Sequence, residues 1–335
     1  MNRKSFLQAF VPATIGVVLT KQLKASEKGV INPAIIPAYL KPGDTIGITC
    51  PAGAVNSNDL RKCSHVFKDW GLNIKYGNTV GKKWQRYGGT DEERLRDLQE
   101  LLDDNTVDAI IFGRGGYGTM RIIDKVNWEG FLTKPKWLIG YSDITTIHLH
   151  IHSNLGIPSV HADMSTGLSI TTASTKSLKE TLFGKSVSYV VKGNSLNREG
   201  NCSGKLIGGN LTILQACSGS KSDITTEGKI LFIEDVNEYK YSIDRMLVHL
   251  KRSGKLDKLS GLVVGAFTAT KENEEETYRQ TIEELILEKV KEYDYPVCFN
   301  FPAGHIKNNL ALKFGVPYEL SVSSTDVILN EKRID

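Results

Sequence analysis

Short apolar segments alternate with amphipathic helical segments along the first half of the chain, and this alternation restricts the fold more than any other feature. Buried strands are predicted at positions 45–49, 73–76, 109–112 and 137–140. Apolar residues follow the first strand at helical spacing over 60–70, and a later helix is predicted over 143–154. Such alternation predicts a parallel sheet with helices on both faces. Ligands of these sheets bind beyond the carboxyl ends of the strands.

The chain of 335 residues is long enough for two domains, and its pattern changes after about Asp163. We predict an N-terminal parallel-sheet α/β domain, of flavodoxin- or amidotransferase-like type, over residues 37–165. A linker rich in Ser and Thr, with one helix, is predicted over 166–199. A smaller C-terminal α/β domain is predicted over 200–335, with strands at 229–233 and 261–267.

The N-terminus has the order of a secretory signal, and we predict a signal-like leader over residues 1–25. Arg3 and Lys4 precede a mostly apolar stretch at 6–20, after which the chain turns polar. This apolar stretch is short for a membrane span. We therefore expect an exported, periplasmic protein with no integral membrane span in its mature form. The alternative is a cytoplasmic protein whose leader is a frayed helix.

Charge and cysteine content argue against several classes of function. The net charge is +4 and the basic residues are scattered among acidic ones, so nucleic acid is not an expected partner. The five cysteines include no C-x-x-C pair, which argues against a disulfide framework or a zinc site. His148 and His152 share a predicted helical face, but no H-E-x-x-H arrangement accompanies them. We expect no metal.

Ser142 stands between a predicted strand and a predicted helix, in the segment Gly140-Tyr141-Ser142-Asp143. This order is typical of a nucleophile elbow, in which a tight turn lifts a serine hydroxyl clear of the sheet. The amides and the dipole at the start of the helix would favour negative charge at the reacting centre. The alternative, which this segment taken alone favours, is that Ser142 caps the helix.

A glycine-rich loop at positions 113–118 follows the strand that ends at Phe112. Glycines let the backbone approach a substrate closely, and an oxyanion intermediate needs two amide donors. Gly115 or Gly116 could supply one donor, and Asp143 the other. The loop fits neither G-x-G-x-x-G nor the Walker pattern, which argues against a nucleotide site. A plain glycine-rich turn is the remaining alternative.

A serine nucleophile needs a base, usually a histidine that a carboxylate holds in place. His305 lies in a loop of small and turn-forming residues directly after an apolar strand, where polar residues are often functional. His161 follows another predicted strand and could line the site. Glu234 is the best carboxylate, because an acid at the end of a buried strand is costly unless it is paired. Asp235 and Glu238 are close rivals, and an N-cap or a surface ion pair is the structural alternative.

Together these segments resemble the LD-carboxypeptidase family of serine peptidases, which also includes microcin-immunity peptidases. The resemblance extends from about Pro42 to Val322. It is carried by seven stretches in a specific order: Pro42–Ile46, Gly89–Arg94, Arg114–Gly118, Gly140–Thr145, Gly208–Leu211, Glu234–Val236 with Asp244–Arg245, and Gly304–His305.

The resemblance implies a catalytic triad of Ser142, Glu234 and His305, with the nucleophile in the N-terminal domain and its partners in the C-terminal domain. It implies no metal, no cofactor and a homodimer. The best-known activity of the family removes the terminal D-alanine from a murein tetrapeptide by cutting an L-to-D bond. A peptidoglycan-derived peptide is therefore the expected substrate.

The resemblance also implies an oxyanion hole near Gly115 or Gly116 and Asp143. One stretch departs from the family pattern, because Asp163 stands in His-Ala-Asp-Met where His-Gly-Pro-Met is common. This added charge bears on the choice of substrate, and peptide antibiotics or other acyl-amino-acid peptides are the alternatives. A non-catalytic peptidoglycan-binding protein is a further alternative. An α/β-hydrolase is a weaker rival, since Ile144 occupies the last glycine position of G-x-S-x-G.

Overall fold

Two β-sheets organise the chain in the computed structural model, which describes residues 35–170, 172–272 and 278–332. The predicted leader over 1–25 lies outside the described residues. The strands are β1 (Thr45–Thr49), β2 (Asn73–Tyr76), β3 (Ala109–Phe112), β4 (Trp137–Gly140), β5 (Ser159–His161), β6 (Ser188–Lys192), β7 (Gly200–Asn210), β8 (Ile230–Val236), β9 (Gly261–Thr268), β10 (Val297–Cys298), β11 (Leu312–Phe314), β12 (Pro317–Val322) and β13 (Asp326–Glu331). The helices are α1 (Arg61–Asp69), α2 (Asp91–Asp103), α3 (Glu129–Thr133), α4 (Thr145–Leu155), α5 (Ala173–Leu182), α6 (Leu211–Cys217), α7 (Lys240–Arg252) and α8 (Ile282–Lys289).

The first sheet has the strand order β11-β5-β4-β3-β1-β2. Strands β1 to β5 run parallel, and β11 joins the edge antiparallel to β5. Every residue of β3 and β4 is buried, as expected of strands covered on both faces. Helices α1 and α5 pack on one face, and α2 and α4 pack on the other. The prediction of a parallel sheet between two helical layers is confirmed.

The second sheet has the order β10-β9-β8-β7-β12-β13-β6. Strands β10, β9, β8 and β7 are parallel, whereas β7, β12, β13 and β6 pair antiparallel. The long strand β7 pairs with β12 through its first half and with β8 through its second half. Its sequence GNCSGKLIGGN is rich in Gly and Asn, which are depleted in strands, and this explains why the pattern did not predict it.

Several predicted boundaries differ from the structure. The helix predicted from Asp143 begins as a 3-10 turn at Ser142–Ile144 and becomes α4 at Thr145. The pattern over 278–292 also predicts a helix, but the structure confines it to α8, which Thr281 caps. The segment 166–199 contains both α5 and β6, and β6 pairs with β13. Among the described residues, no helix is both long and apolar enough to cross a bilayer.

The two sheets belong to one compact unit and meet near the start of α4. The Asn210 backbone N–H, at the end of β7, donates to Thr145 Oγ1 at 3.0 Å. A side chain at Gly209 would collide with Thr145, because an added Cβ would lie 2.5 Å from its Oγ1. This close approach brings the carboxyl end of β8 next to the turn that follows β4.

Candidate active site

Ser142 occupies a strained position at the turn between β4 and α4. Its φ is +64°, in the left-handed region that non-glycine residues rarely adopt. Such a conformation costs on the order of 1–3 kcal/mol and is concentrated at functional sites. Within the described chain, no side-chain cap hydrogen bond is found at this turn or at α4. The geometry is therefore that of a nucleophile elbow, and the alternative that Ser142 caps the helix does not hold.

His305 and Glu234 are in direct contact. His305 Nδ1 lies 2.6 Å from Glu234 Oε2, and the Glu234 side chain is fully buried at the carboxyl end of β8. Gly304, at φ +113°, allows this approach because an added Cβ would lie 2.8 Å from Glu234 Oε2. The structure thus brings together two residues that are 71 positions apart in sequence. The imidazole is held by a carboxylate and remains 18% exposed on its other side.

Asp235 and Glu238, the rival carboxylates, face other partners. Asp235 accepts hydrogen bonds from Asn210 Nδ2 at 2.9 Å and from the Thr212 backbone N–H and hydroxyl at 2.9 and 2.8 Å. Burial raises the pKa of Asp235 to about 6, although these hydrogen bonds act to lower it. Glu238 lies 3.4 Å from Thr212 Oγ1. Both carboxylates therefore support the start of α6.

Tyr141 links the elbow to the loop that carries His305. Its ring centroid lies 4.8 Å from that of His305 and 5.8 Å from that of His161. Burial raises the pKa of Tyr141 to about 12, so the phenol is neutral at physiological pH. Because Tyr141 directly precedes Ser142, the turn that carries Ser142 and the loop that carries His305 are in contact through this ring.

The glycine-rich loop packs against the elbow. A Cβ added at Gly115 would lie 2.8 Å from both Cβ and Oγ of Ser142 and 3.4 Å from the Asp143 backbone nitrogen. The Gly115 carbonyl accepts from the Gly53 N–H at 3.0 Å. Since a trans peptide is planar, the Gly116 N–H points away from Gly53. Gly115 therefore packs directly against the Ser142 side chain, near the Asp143 backbone nitrogen.

The Asp143 carboxylate is buried and contacts the residue that follows the glycine-rich loop. Its Oδ2 accepts from the Thr119 backbone N–H at 2.9 Å, and burial raises the pKa of this carboxyl. The carboxylate therefore anchors the end of the glycine-rich loop.

Asn309 is a residue of the site that sequence reasoning missed. Its Oδ1 accepts from the Gly304 N–H at 2.8 Å, and its Nδ2 donates to Asp163 Oδ1 at 3.2 Å. Asn309 is fully buried and Asp163 is 7% exposed. The unusual Asp163 therefore supports the loop before His305. The one signal in the sequence was the position of Asn309 within the same turn-forming loop.

His161 is part of the core behind the site. It is fully buried, and its ring lies 5.0 Å from Phe232 and 5.4 Å from Phe314 between centroids. Burial lowers the pKa of His161 well below its ordinary value, so the ring is neutral. His161 therefore packs behind the site and contacts the elbow through Tyr141.

Of the two histidines considered for a metal, His148 is buried in the core and His152 is half-buried. His148 Nε2 lies 2.8 Å from the Gly140 carbonyl oxygen, and burial lowers the pKa of His148 and of His152 to about 4. Over the ranges that the structure describes, no group of three or more His, Cys, Asp or Glu side chains could hold a metal ion.

Comparisons with known proteins identify the family of this chain. Residues 46–162 match the family model of the LD-carboxypeptidase N-terminal domain, and residues 203–320 match that of the C-terminal domain. A probable murein peptide carboxypeptidase of Bacillus subtilis is 33% identical, over 90% of this chain and 96% of its own. The microcin C7 self-immunity protein of Escherichia coli is 24% identical, over 89% and 96% of the two chains.

A solved structure extends the comparison to the fold. The muramoyltetrapeptide carboxypeptidase of Oxalobacter formigenes superposes with a TM-score of 0.79 at 27% identity, covering 86% of this chain and 99% of its own. The two family models together match most of the chain, one on each sheet. The chain therefore belongs to the LD-carboxypeptidase family and is a peptidase.

Proposed function

We propose that the protein is a serine-type LD-carboxypeptidase that releases the terminal D-alanine from a murein tetrapeptide. The observation that carries this proposal is the strained Ser142 turn beside the buried His305–Glu234 pair. The names of two relatives, a murein peptide carboxypeptidase and a muramoyltetrapeptide carboxypeptidase, support the class of substrate.

The proposed reaction begins when His305 Nε2 takes the proton of Ser142 Oγ, which attacks the peptide carbonyl carbon. Glu234 accepts a hydrogen bond from His305 Nδ1 and stabilises the imidazolium that forms. Amides of the glycine-rich loop and of Asp143 hold the oxyanion, each contributing roughly 3–4 kcal/mol in comparable sites. The C–N bond then breaks as His305 protonates the leaving amine. Water, deprotonated by His305, hydrolyses the acyl-serine ester.

A second candidate is a peptidase of the same fold that acts on peptide antibiotics. The similarity to the microcin C7 self-immunity protein over 89% of this chain favours it. Both candidates use the same three side chains, so they differ only in the peptide that the site accepts. A non-catalytic peptidoglycan-binding role predicts peptide binding without any product.

The test is mass spectrometry of murein tetrapeptide incubated with the full chain. We expect the wild type to remove one alanine and Ser142→Ala to remove none while keeping the melting temperature of the wild type. Ser324→Ala is the matched control, because this serine is exposed in the connection between β12 and β13. Turnover by Ser142→Ala equal to the wild type would exclude Ser142 as nucleophile. Absence of turnover by the wild type would exclude murein tetrapeptide as the substrate.

We also propose that the chain is exported and that it forms a homodimer. The first proposal rests on the signal-like order of residues 1–25, and the second rests on the family resemblance. Cell fractionation of the full chain, with Arg3 and Lys4 replaced by glutamine as control, tests export. Light scattering of the purified protein tests the dimer, and a monomeric mass at working concentration would contradict it.

A further inference from the structure

A polar cleft of about 640 Å³ opens beside Gly115 and Gly116 on the face of the glycine-rich loop. Asp59 is the one acidic side chain among the described residues that line it. Four cationic side chains also line it: Lys82, Lys83, Arg86 and Arg114. The cleft is therefore positively charged and adjoins the candidate nucleophile.

The backbone holds Arg86 in place at the rim of this cleft. Trp84 and Tyr87 exchange two backbone hydrogen bonds, of 3.0 and 2.9 Å, around a two-residue turn. Gln85 in this turn has φ +54°, as tight two-residue turns require. The Arg86 carbonyl accepts from the Ala54 N–H at 3.2 Å, which fastens the turn to the segment after β1. Arg86 thus projects from an anchored backbone.

Three of the four cations have no counter-ion. Lys82 Nζ pairs with Glu93 Oε1 at 2.9 Å and is neutralised. Among the described residues, Lys83, Arg86 and Arg114 form no ion pair and no side-chain hydrogen bond. Unpaired like charges in a cleft repel one another and attract anions. An anion bound in the cleft would relieve this repulsion.

The two arginines lie close to the candidate reaction centre. Arg114 directly precedes Gly115, which packs against Ser142. Arg86 lines the same cleft as Gly115 and Gly116. In a carboxypeptidase substrate, the terminal carboxylate lies one residue, about 4 Å, from the scissile carbonyl. A carboxylate of the bound peptide therefore lies within reach of a guanidinium at this rim.

We propose that this cleft binds a carboxylate of the peptide substrate through Arg86 and Arg114. The inference rests on the proposed function and names the chemical group that the site recognises. A guanidinium can bind a carboxylate by two parallel hydrogen bonds, which gives both affinity and orientation. Murein tetrapeptide offers up to three such groups near its scissile bond: the terminal carboxylate, that of its D-glutamate residue and, where the third residue is diaminopimelate, the distal carboxylate of that residue.

Calorimetric titration of the full-length Ser142→Ala protein with four peptides tests the proposal. The peptides are the diaminopimelate-type murein tetrapeptide and three forms of it, each with one carboxylate converted to an amide: the terminal one, that of D-glutamate, or the distal one of diaminopimelate. Arg86→Gln and Arg114→Gln are each introduced separately into the Ser142→Ala protein. Arg96→Gln is the matched control, because Arg96 is exposed on α2 away from the cleft. We expect each cleft variant to raise the Kd of the tetrapeptide roughly 10- to 100-fold, as loss of a charge-assisted hydrogen bond predicts.

The amidated peptides identify the carboxylate that is bound. The amidated peptide that lacks the bound carboxylate should have the same Kd for the protein with both arginines and for the Arg86→Gln and Arg114→Gln variants. If the cleft variants leave the Kd unchanged while the wild type cleaves the tetrapeptide, the inference is wrong and the proposed function stands. If binding depends on the two arginines but the wild type yields no product, the proposed function fails and the cleft assignment stands. If all three amides keep the full dependence on arginine, no single substrate carboxylate is bound by the cleft and the inference is wrong.

Discussion

Replacing Gly115 with alanine tests the closest approach within the candidate site. The added Cβ would lie 2.8 Å from Cβ and from Oγ of Ser142. Non-bonded carbon atoms prefer about 3.5–4.0 Å, so Ser142 or the loop must shift by roughly 1 Å. A displacement of this size at a reacting group costs on the order of 100-fold in rate. We therefore expect kcat to fall about 100-fold, while overpacking lowers the free energy of unfolding by about 1–3 kcal/mol.

The assay is the turnover of murein tetrapeptide, with urea unfolding of the same preparations. Gly167→Ala is the matched control, because its added Cβ would meet nothing closer than 3.5 Å. Neither glycine has a left-handed φ, so neither substitution adds backbone strain. The control should retain turnover within about a factor of two. If Gly115→Ala also stays within that range, the Ser142 hydroxyl does not react in the position that the structure gives it.

Three further substitutions test the parts of the site separately. Glu234→Gln should lower kcat by roughly 10³–10⁴, because a neutral amide no longer holds His305 in the required tautomer; turnover close to the wild type would exclude this role. Asn309→Ala leaves the buried Gly304 N–H without its acceptor and should lower the free energy of unfolding in urea by about 1–3 kcal/mol; unchanged stability would contradict it. Burial lowers the pKa of His148 in the folded chain to about 4. As the pH falls from about 6.5 to about 4, this histidine is therefore protonated in the unfolded chain but still neutral in the folded one. Over this interval the free energy of unfolding should decrease by up to about 3 kcal/mol, and His148→Gln should remove that part of the decrease; an unchanged pH profile would refute the assignment.

The local sequence pattern was sufficient to predict much of the first sheet. Strands β1, β3 and β4 were predicted at their observed bounds, because short apolar runs bounded by turn residues are a short-range signal. The capping box that Thr90 and Glu93 form at the start of α2 is an equally local feature, since its partners are three residues apart. The turn at Ser142 could be predicted as an elbow because a strand, a serine and a helix follow one another in sequence. Its left-handed φ became visible only in the structure.

The sequence by itself determined the alternation of strands and helices, the position of the elbow and the family resemblance. Only the tertiary structure decided that Glu234, and not Asp235 or Glu238, contacts His305. That choice depends on the pairing of β8 with its neighbours and on the path of a loop 71 residues further along the chain. The contact of Asp163 with Asn309 spans 146 positions and was likewise invisible in the sequence. Periodicity and capping act over a few residues, whereas such contacts form only when burial brings distant segments together.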